Sequence, residues 1–155
     1  MKISETGRII IIAIFVDDIM SAYAKQDEKE WQKYKAKFTE QYKMKDLGDA
    51  EWILGIRITR NRKEKWIIMD QGVYTNGLVK QFNLKDSRSV VTPEEMYKLS
   101  EADCPRTESE RKKMEEIPYR SLVGGLLYAS ISTRPDIAHA VNMVCRYMEN
   151  PGQAH

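Results

Sequence analysis

The sequence predicts an α+β fold: an antiparallel sheet of two hairpins with a packed amphipathic helix, followed by a mostly helical C-terminal half. Three observations predict it. An apolar run rich in β-branched residues, Ile9 to Val16, ends on two adjacent carboxylates, Asp17 and Asp18, and a second short apolar stretch follows, Ile19 to Ala24. Two more strand-like stretches, Glu51 to Thr59 and Lys65 to Met69, flank a basic turn. From Ile117 onward, apolar residues recur at helical spacing.

Ile9 to Val16 is too short for a typical helix, and its composition favours a strand buried on both faces. The Asp pair then lies at a hairpin tip. Hard oxygen ligands there suit magnesium, and the metal offsets the repulsion between neighbouring acids. The same pair also reads as an ordinary turn, because Asp side chains hydrogen-bond nearby backbone and tolerate turn dihedrals. A third reading of the stretch is an export signal. Lys2 and Arg8 give a basic start, Ile9 to Val16 has the length of a signal core, and Ala22-Tyr23-Ala24 offers a cleavage point after Ala24. Glu5, Asp17 and Asp18 interrupt that pattern, so the strand is the reading carried forward.

Asp27 to Met44 reads as an amphipathic helix, with Asp27 as N-cap and Glu30 completing a capping box. Trp31, Tyr34, Phe38 and Tyr42 share one face, which is expected to pack on the sheet that holds Asp17. Gly48 is the expected stop. In Glu51 to Thr59, Trp52, Leu54, Ile56 and Ile58 alternate as on a strand. Arg60 to Glu64 turns the chain, and Lys65 to Met69 returns it. Arg57, Arg60, Arg62, Lys63 and Lys65 surround this turn against one acid, Glu64. Such a cluster suits a nucleic-acid backbone. It equally suits a solvated edge that resists aggregation.

Asp70 to Phe82 reads as a short helix, weakened by Gly72 and Gly77. A connector leads to Thr92-Pro93, and a polar stretch from Glu94 to Glu116 reads as a surface linker with one exposed helix. Tyr119 to Tyr128 forms an apolar helical face, in which Gly124-Gly125 suggests close approach by another backbone. Ser132 to Asp136 breaks the run. A second helix starts with Thr133 or Arg134 near its cap and Pro135 in its first turn, and stops at Asn150-Pro151-Gly152. Arg134 and Asp136 flank the break and can pair with one another or with His139. The expected core is Ile10, Ile12, Ile14, Trp31, Phe38, Leu54, Ile56, Leu122, Leu126, Val141 and Val144.

A chain of 155 residues fits one domain or a piece of a larger one, and an apolar content of 42% is enough for a core. The divisions read from the chain are 1–93 for the sheet, 94–116 for the linker and 117–155 for a helical hairpin. A net charge of +2 excludes a polyelectrolyte partner for nucleic acid as a whole-molecule property. Cys104 and Cys145 form no metal-spaced cluster and no disulfide framework. No apolar run approaches the ~20 residues that span a bilayer, so no membrane partner is expected. There is no Gly-rich phosphate loop, HExxH, nucleophile elbow or internal repeat.

In order, "FVDDIM", "YKMKDLGDAEWILGIRITR", "MDQGVYTNGLVKQFNL", "TP" and "PYRSLVGGLLYASISTRPDIAHAVN" resemble copia-type LTR retrotransposon polyproteins, over nearly the whole chain. The resemblance implies the end of a reverse-transcriptase palm and the regions after it, with residues 1–93 palm-like. It places the magnesium-binding YxDD carboxylates at Asp17 and Asp18, with Phe15 where Tyr is usual. It makes Trp52-Ile53-Leu54-Gly55-Ile56 similar to the primer-gripping region and sets the basic hairpin towards template-primer. That family's polymerase needs a further metal-binding Asp and the fingers, both upstream of this chain's start; the RNase H region that follows in such polyproteins lies beyond its end. The expectation is therefore a truncated module without polymerase activity alone, with weak nucleic-acid binding, acting inside the cell. Similar fragments are also known as secreted RxLR-type effectors of downy mildews, which makes a secreted virulence protein with a host-protein partner the alternative. The chain has no Arg-x-Leu-Arg; Arg120-Ser121-Leu122-Val123 only begins like one. Cleavage after Ala24 would remove Asp17 and Asp18. An expressed remnant with no selected role is the third reading.

Overall fold

The computed structural model describes residues 2–3, 9–88, 90–93 and 98–155, the first pair by backbone alone. The charges of the proposed export start (Lys2, Glu5, Arg8) and the beginning of the polar stretch at Glu94 lie outside the described side chains. The chain divides into two compact units, residues 1–53 and 54–155. The secondary structure is α+β, as the hydrophobic periodicities predict.

In the first unit, β1 (Lys2–Ile3), β2 (Ile9–Phe15) and β3 (Asp18–Ala22) form an antiparallel sheet with β2 in the centre. The β2–β3 register runs from Ile11 opposite Ala22 to Phe15 opposite Asp18. Successive side chains alternate between faces. Ile10, Ile12 and Ile14 therefore share one face with Ile19 and Ser21. Ile9, Ile11, Ala13 and Phe15 share the other with Asp18 and Met20. Burial on both faces is not found. Ile10 is buried, whereas Ile9, Ile11, Phe15 and Val16 are exposed, as is Ile14 at 65%. The reason is coverage: among its described residues this unit has a single α-helix to lay against the sheet.

That helix is α1 (Glu28–Gln41), entered through a 3₁₀ turn, Lys25–Asp27. It begins one residue after the predicted start and ends three before the predicted end. Asp27 is buried, but its side chain does not cap α1, and the capping box is absent. Glu30 instead accepts from the Tyr34 hydroxyl at 3.4 Å. Trp31 is buried and stacks on Tyr23, centroids 5.7 Å apart, which ties the end of β3 to the helix. Tyr42 lies beyond the helix in extended backbone and is exposed. Gly48 does not stop the helix. It takes a φ of 78° in the loop after it, where its N–H donates to Asp46 Oδ1 at 3.1 Å. Asp46 also meets Lys35 Nζ at 2.6 Å, and this hydrogen bond holds its carboxyl below the usual range. β4 (Trp52–Ile53) closes the unit.

The single predicted strand Glu51–Thr59 is broken. Leu54 and Gly55 both take positive φ, 51° and 75°, which extended backbone cannot include. In the second unit β5 (Ile56–Asn61) and β6 (Trp66–Asp70) form the second antiparallel hairpin, which belongs to a sheet separate from that of β1–β3 and not to the one shared sheet expected. α2 (Gly72–Gln81) follows, then α3 (Glu108–Glu115), α4 (Tyr119–Ser132) and α5 (Ala138–Cys145). Leu54 is exposed, and Ile56, Leu122, Leu126 and Val144 are half-buried. The buried core side chains of this unit include Tyr119, Val123, Ala129, Val141 and Tyr147. α4 packs on α5, and Tyr119 donates to Val144 O at 2.9 Å. α4 also meets α2. Gly125 faces Leu78 and the hydroxyl of Tyr74, which donates to Gly125 O at 3.2 Å. The close approach expected at Gly124-Gly125 is thus by side chains of α2, and only at Gly125.

Part of the polar stretch is tied down. Pro105 is buried, Tyr147 donates to Leu99 O at 3.0 Å, and His155 reaches Ser100 O at 3.2 Å. α5 ends five residues before the predicted stop, and the residues after it turn back to make these contacts. Of the pairings open to them, Arg134 and Asp136 pair with one another, with Nε to Oδ1 at 2.8 Å and a guanidinium nitrogen to Oδ2 at 2.7 Å. Among the described residues no helix is long and apolar enough to cross a membrane.

Candidate functional site

Two places carry the residues that the sequence singles out, one in each unit. The first is the β2–β3 tip. Phe15 pairs with Asp18, so the connection is two residues, Val16 and Asp17. Two-residue hairpin loops need positive φ, and Val16 supplies it at 52°. A β-branched residue there is unfavourable by roughly 1–2 kcal/mol. The tip is also bare, with Val16 82% exposed and both Asp17 and Asp18 exposed. The hairpin thus presents one carboxylate in the turn and the next at the first position of β3. Strain of this kind persists where the surrounding ladder over-determines it.

Two adjacent exposed carboxylates match the hard-oxygen preference of magnesium. Among the described residues no three His, Cys, Asp or Glu side chains are grouped to hold a metal. The donor chemistry of the pair fits the ion.

The second place is the β5–β6 tip. Asn61, the last residue of β5, pairs with Trp66, the first of β6, and residues 62–65 make the turn. Asn61 Oδ1 accepts from the backbone N–H of Lys63 and Glu64, each at 3.0 Å, and thereby shapes the turn. Glu64 Oε2 accepts from Asn61 Nδ2 at 3.1 Å and from Trp66 Nε1 at 2.8 Å. The five predicted cations are all exposed but do not form one face. Arg57 stands opposite Asp70 and Arg60 opposite Ile67, and residues three apart on a strand lie on opposite sides. Arg62, Lys63 and Lys65 gather in the turn itself. Trp66, Asn61 and Glu64 were not among the predicted site residues. The available signal was the single acid inside a basic turn with an aromatic two residues after it.

Residues 1–96 match the family model described as reverse transcriptase (RNA-dependent DNA polymerase), and the chain belongs to that family. It is of the copia type. It is 41% identical over 147 residues to the retrovirus-related Pol polyprotein from transposon TNT 1-94 of Nicotiana tabacum, covering 94% of this chain and 11% of that protein. It is 29% identical over 151 residues to a putative transposon Ty5-1 protein of Saccharomyces cerevisiae, covering 94% and 45%. A shorter match, 38% identical over 42 residues, covers 27% of this chain and 30% of secreted RxLR effector protein 161 of Plasmopara viticola. The chain spans less than half the length of each of these relatives. No solved structure matches.

Proposed function

We propose that this chain carries the metal-binding hairpin and a nucleic-acid-contacting hairpin of a copia-type reverse transcriptase. In this reading Asp17 and Asp18 are magnesium ligands, and Arg57, Arg60, Arg62, Lys63 and Lys65 contact phosphates. The observation that supports it is the exposed, strained two-residue turn that carries two sequence-adjacent carboxylates at its tip in a chain of this family. Magnesium bound there would neutralise phosphate charge. The chain's own part is to hold the two oxygen donors at an exposed tip. Phosphoryl transfer depends on a complete ligand set that places both ions, and the two carboxylates of this tip are only part of one. The 155 residues alone should therefore bind nucleic acid weakly and extend no primer.

The test uses the purified 155-residue chain. Affinity for an oligonucleotide should fall steeply with salt, as phosphate contacts require, and magnesium titrations should lose their hairpin response in Asp17→Asn/Asp18→Asn. Salt-independent binding, or a magnesium response that the double variant keeps, would refute the proposal. Magnesium-dependent primer extension would refute the claim of inactivity.

The 42-residue match to a secreted effector favours one alternative, in which residues up to Ala24 act as a signal and the rest meets a host protein. Sequencing the N-terminus of protein recovered from cells and medium separates the two. A secreted chain starting at Lys25 would lack Asp17 and Asp18. An intracellular chain starting at Met1 keeps them.

A further inference from the structure

We infer that Trp66 is a stacking platform for an unpaired base, flanked by the cations of the β5–β6 turn, so that this hairpin prefers single-stranded nucleic acid to duplex. The inference rests on the nucleic-acid reading above and adds to it the residue and the kind of strand.

Three observations carry it. First, Trp66 leaves 38% of its surface exposed at the end of the hairpin, next to the turn. Second, its orientation is held. The indole N–H donates to Glu64 Oε2 at 2.8 Å, and the same oxygen accepts from Asn61 at 3.1 Å. A ring fixed in this way loses little rotamer freedom when a base stacks on it. Third, the charge is one-sided. Arg62, Lys63 and Lys65 sit with Glu64 in the same four-residue turn, three cations to one acid. Strand alternation also sets Trp66 on the face of Arg57 and Thr59, since Thr59 pairs with Ile68 and Arg57 with Asp70.

A cationic track beside a pinned aromatic ring suits single strands. Their bases offer free π-faces, and stacking is worth a large factor per base regardless of sequence. A duplex hides those faces and can use only the phosphate contacts. An apolar protein surface would use the ring but gain nothing from three adjacent cations.

The experiment measures binding of the full chain, by fluorescence anisotropy at low salt, to a labelled oligothymidylate and to a duplex of equal length. Trp66→Leu should weaken single-strand binding about tenfold and leave duplex binding unchanged. Trp66→Phe, which keeps a ring, should retain most of the preference. Arg62→Gln/Lys63→Gln/Lys65→Gln should weaken both and lower the single-strand salt slope by about 2. If Trp66→Leu changes neither affinity, or weakens both equally, the stacking site is overturned while the phosphate reading stands. If neither oligonucleotide binds in a salt-sensitive way, both readings fall. Retention of apolar resin or protein by Trp66 without any oligonucleotide preference also overturns the inference.

Discussion

Gly152→Ala should release the C-terminal tail of the second unit. Gly152 is buried, and a Cβ there would lie 1.8 Å from the Asp103 carbonyl oxygen, 2.9 Å from its carbon and 3.4 Å from Cys104 Cα. All three are backbone atoms, so no side chain can swing aside. The opposing loop is stiff, because Asp103 Oδ2 accepts from the N–H and the hydroxyl of Ser100, each at 2.9 Å. The tail must therefore move. It then loses the Gly152 N–H to His155 Nδ1 bond at 2.8 Å, the His155 to Ser100 O bond at 3.2 Å, and the His155 stack on Tyr147, centroids 3.9 Å apart. Two hydrogen bonds and one stack at about 1 kcal/mol each give roughly 3 kcal/mol as an upper bound. Freedom regained by the released residues offsets part of this, leaving about 2 kcal/mol. Amide exchange should accelerate at Asp103, Cys104 and His155, whose N–H groups are bonded within this cluster. Gly124→Ala is the control. Nothing lies within 4 Å of its Cβ, and replacing a helix-interior Gly gains roughly 0.5–1 kcal/mol. If Gly152→Ala left exchange in this cluster unchanged, or Gly124→Ala disturbed it equally, the packing argument would be refuted.

Val16→Gly should stabilise the β2–β3 hairpin by up to about 1 kcal/mol, since relief of the positive-φ strain exceeds the entropy cost of Gly; slower amide exchange across the β2–β3 ladder checks it, and faster exchange would sink it. Thr133→Val should cost roughly 1–3 kcal/mol, because Thr133 donates to Oε1 of buried Gln71 at 2.8 Å. Adding Gln71→Met should recover much of that, because the buried amide, whose Nε2 has no partner, goes with it. A double variant no more stable than Thr133→Val in denaturant titration would argue against this. Glu110 is held below the usual Glu value, first by the backbone N–H of Thr107, then by that of Arg106 and by the Thr107 hydroxyl. Its folded value is depressed, so its support of the α3 N-terminus is complete above the unfolded value of about 4.3 and is lost as pH falls through the folded one. Carboxyl-carbon titration by NMR should find the depressed value, and Glu110→Gln should remove the acid-side loss of α3.

Much of this protein is legible in its sequence because much of it is local. The α+β class, both hairpins, α1, the short exposed helix of the polar stretch and the α4–α5 pair follow from periodicity and turn chemistry. The Arg134–Asp136 pair was visible too, because residues two apart across a break meet without help from the rest of the fold. The Asp pair was legible as a site candidate since it is adjacent in sequence. The tertiary structure decided what depends on distant neighbours. β-Branched composition makes Ile9 to Phe15 a strand, but only the layers present decide how much of it is covered, and burial at Ile10 does not extend to Ile14 on the same face. The alternation in Glu51 to Thr59 is real, yet two positive-φ residues at Leu54 and Gly55 outweigh it. The five cations look like one cluster in sequence. Pairing register places Arg57 and Arg60 on opposite faces and leaves three cations in the turn beside an aromatic ring held by the turn's only acid. Composition sets which residues can bury or bind. Register and coverage, which are properties of pairs of segments far apart in the chain, set which ones do.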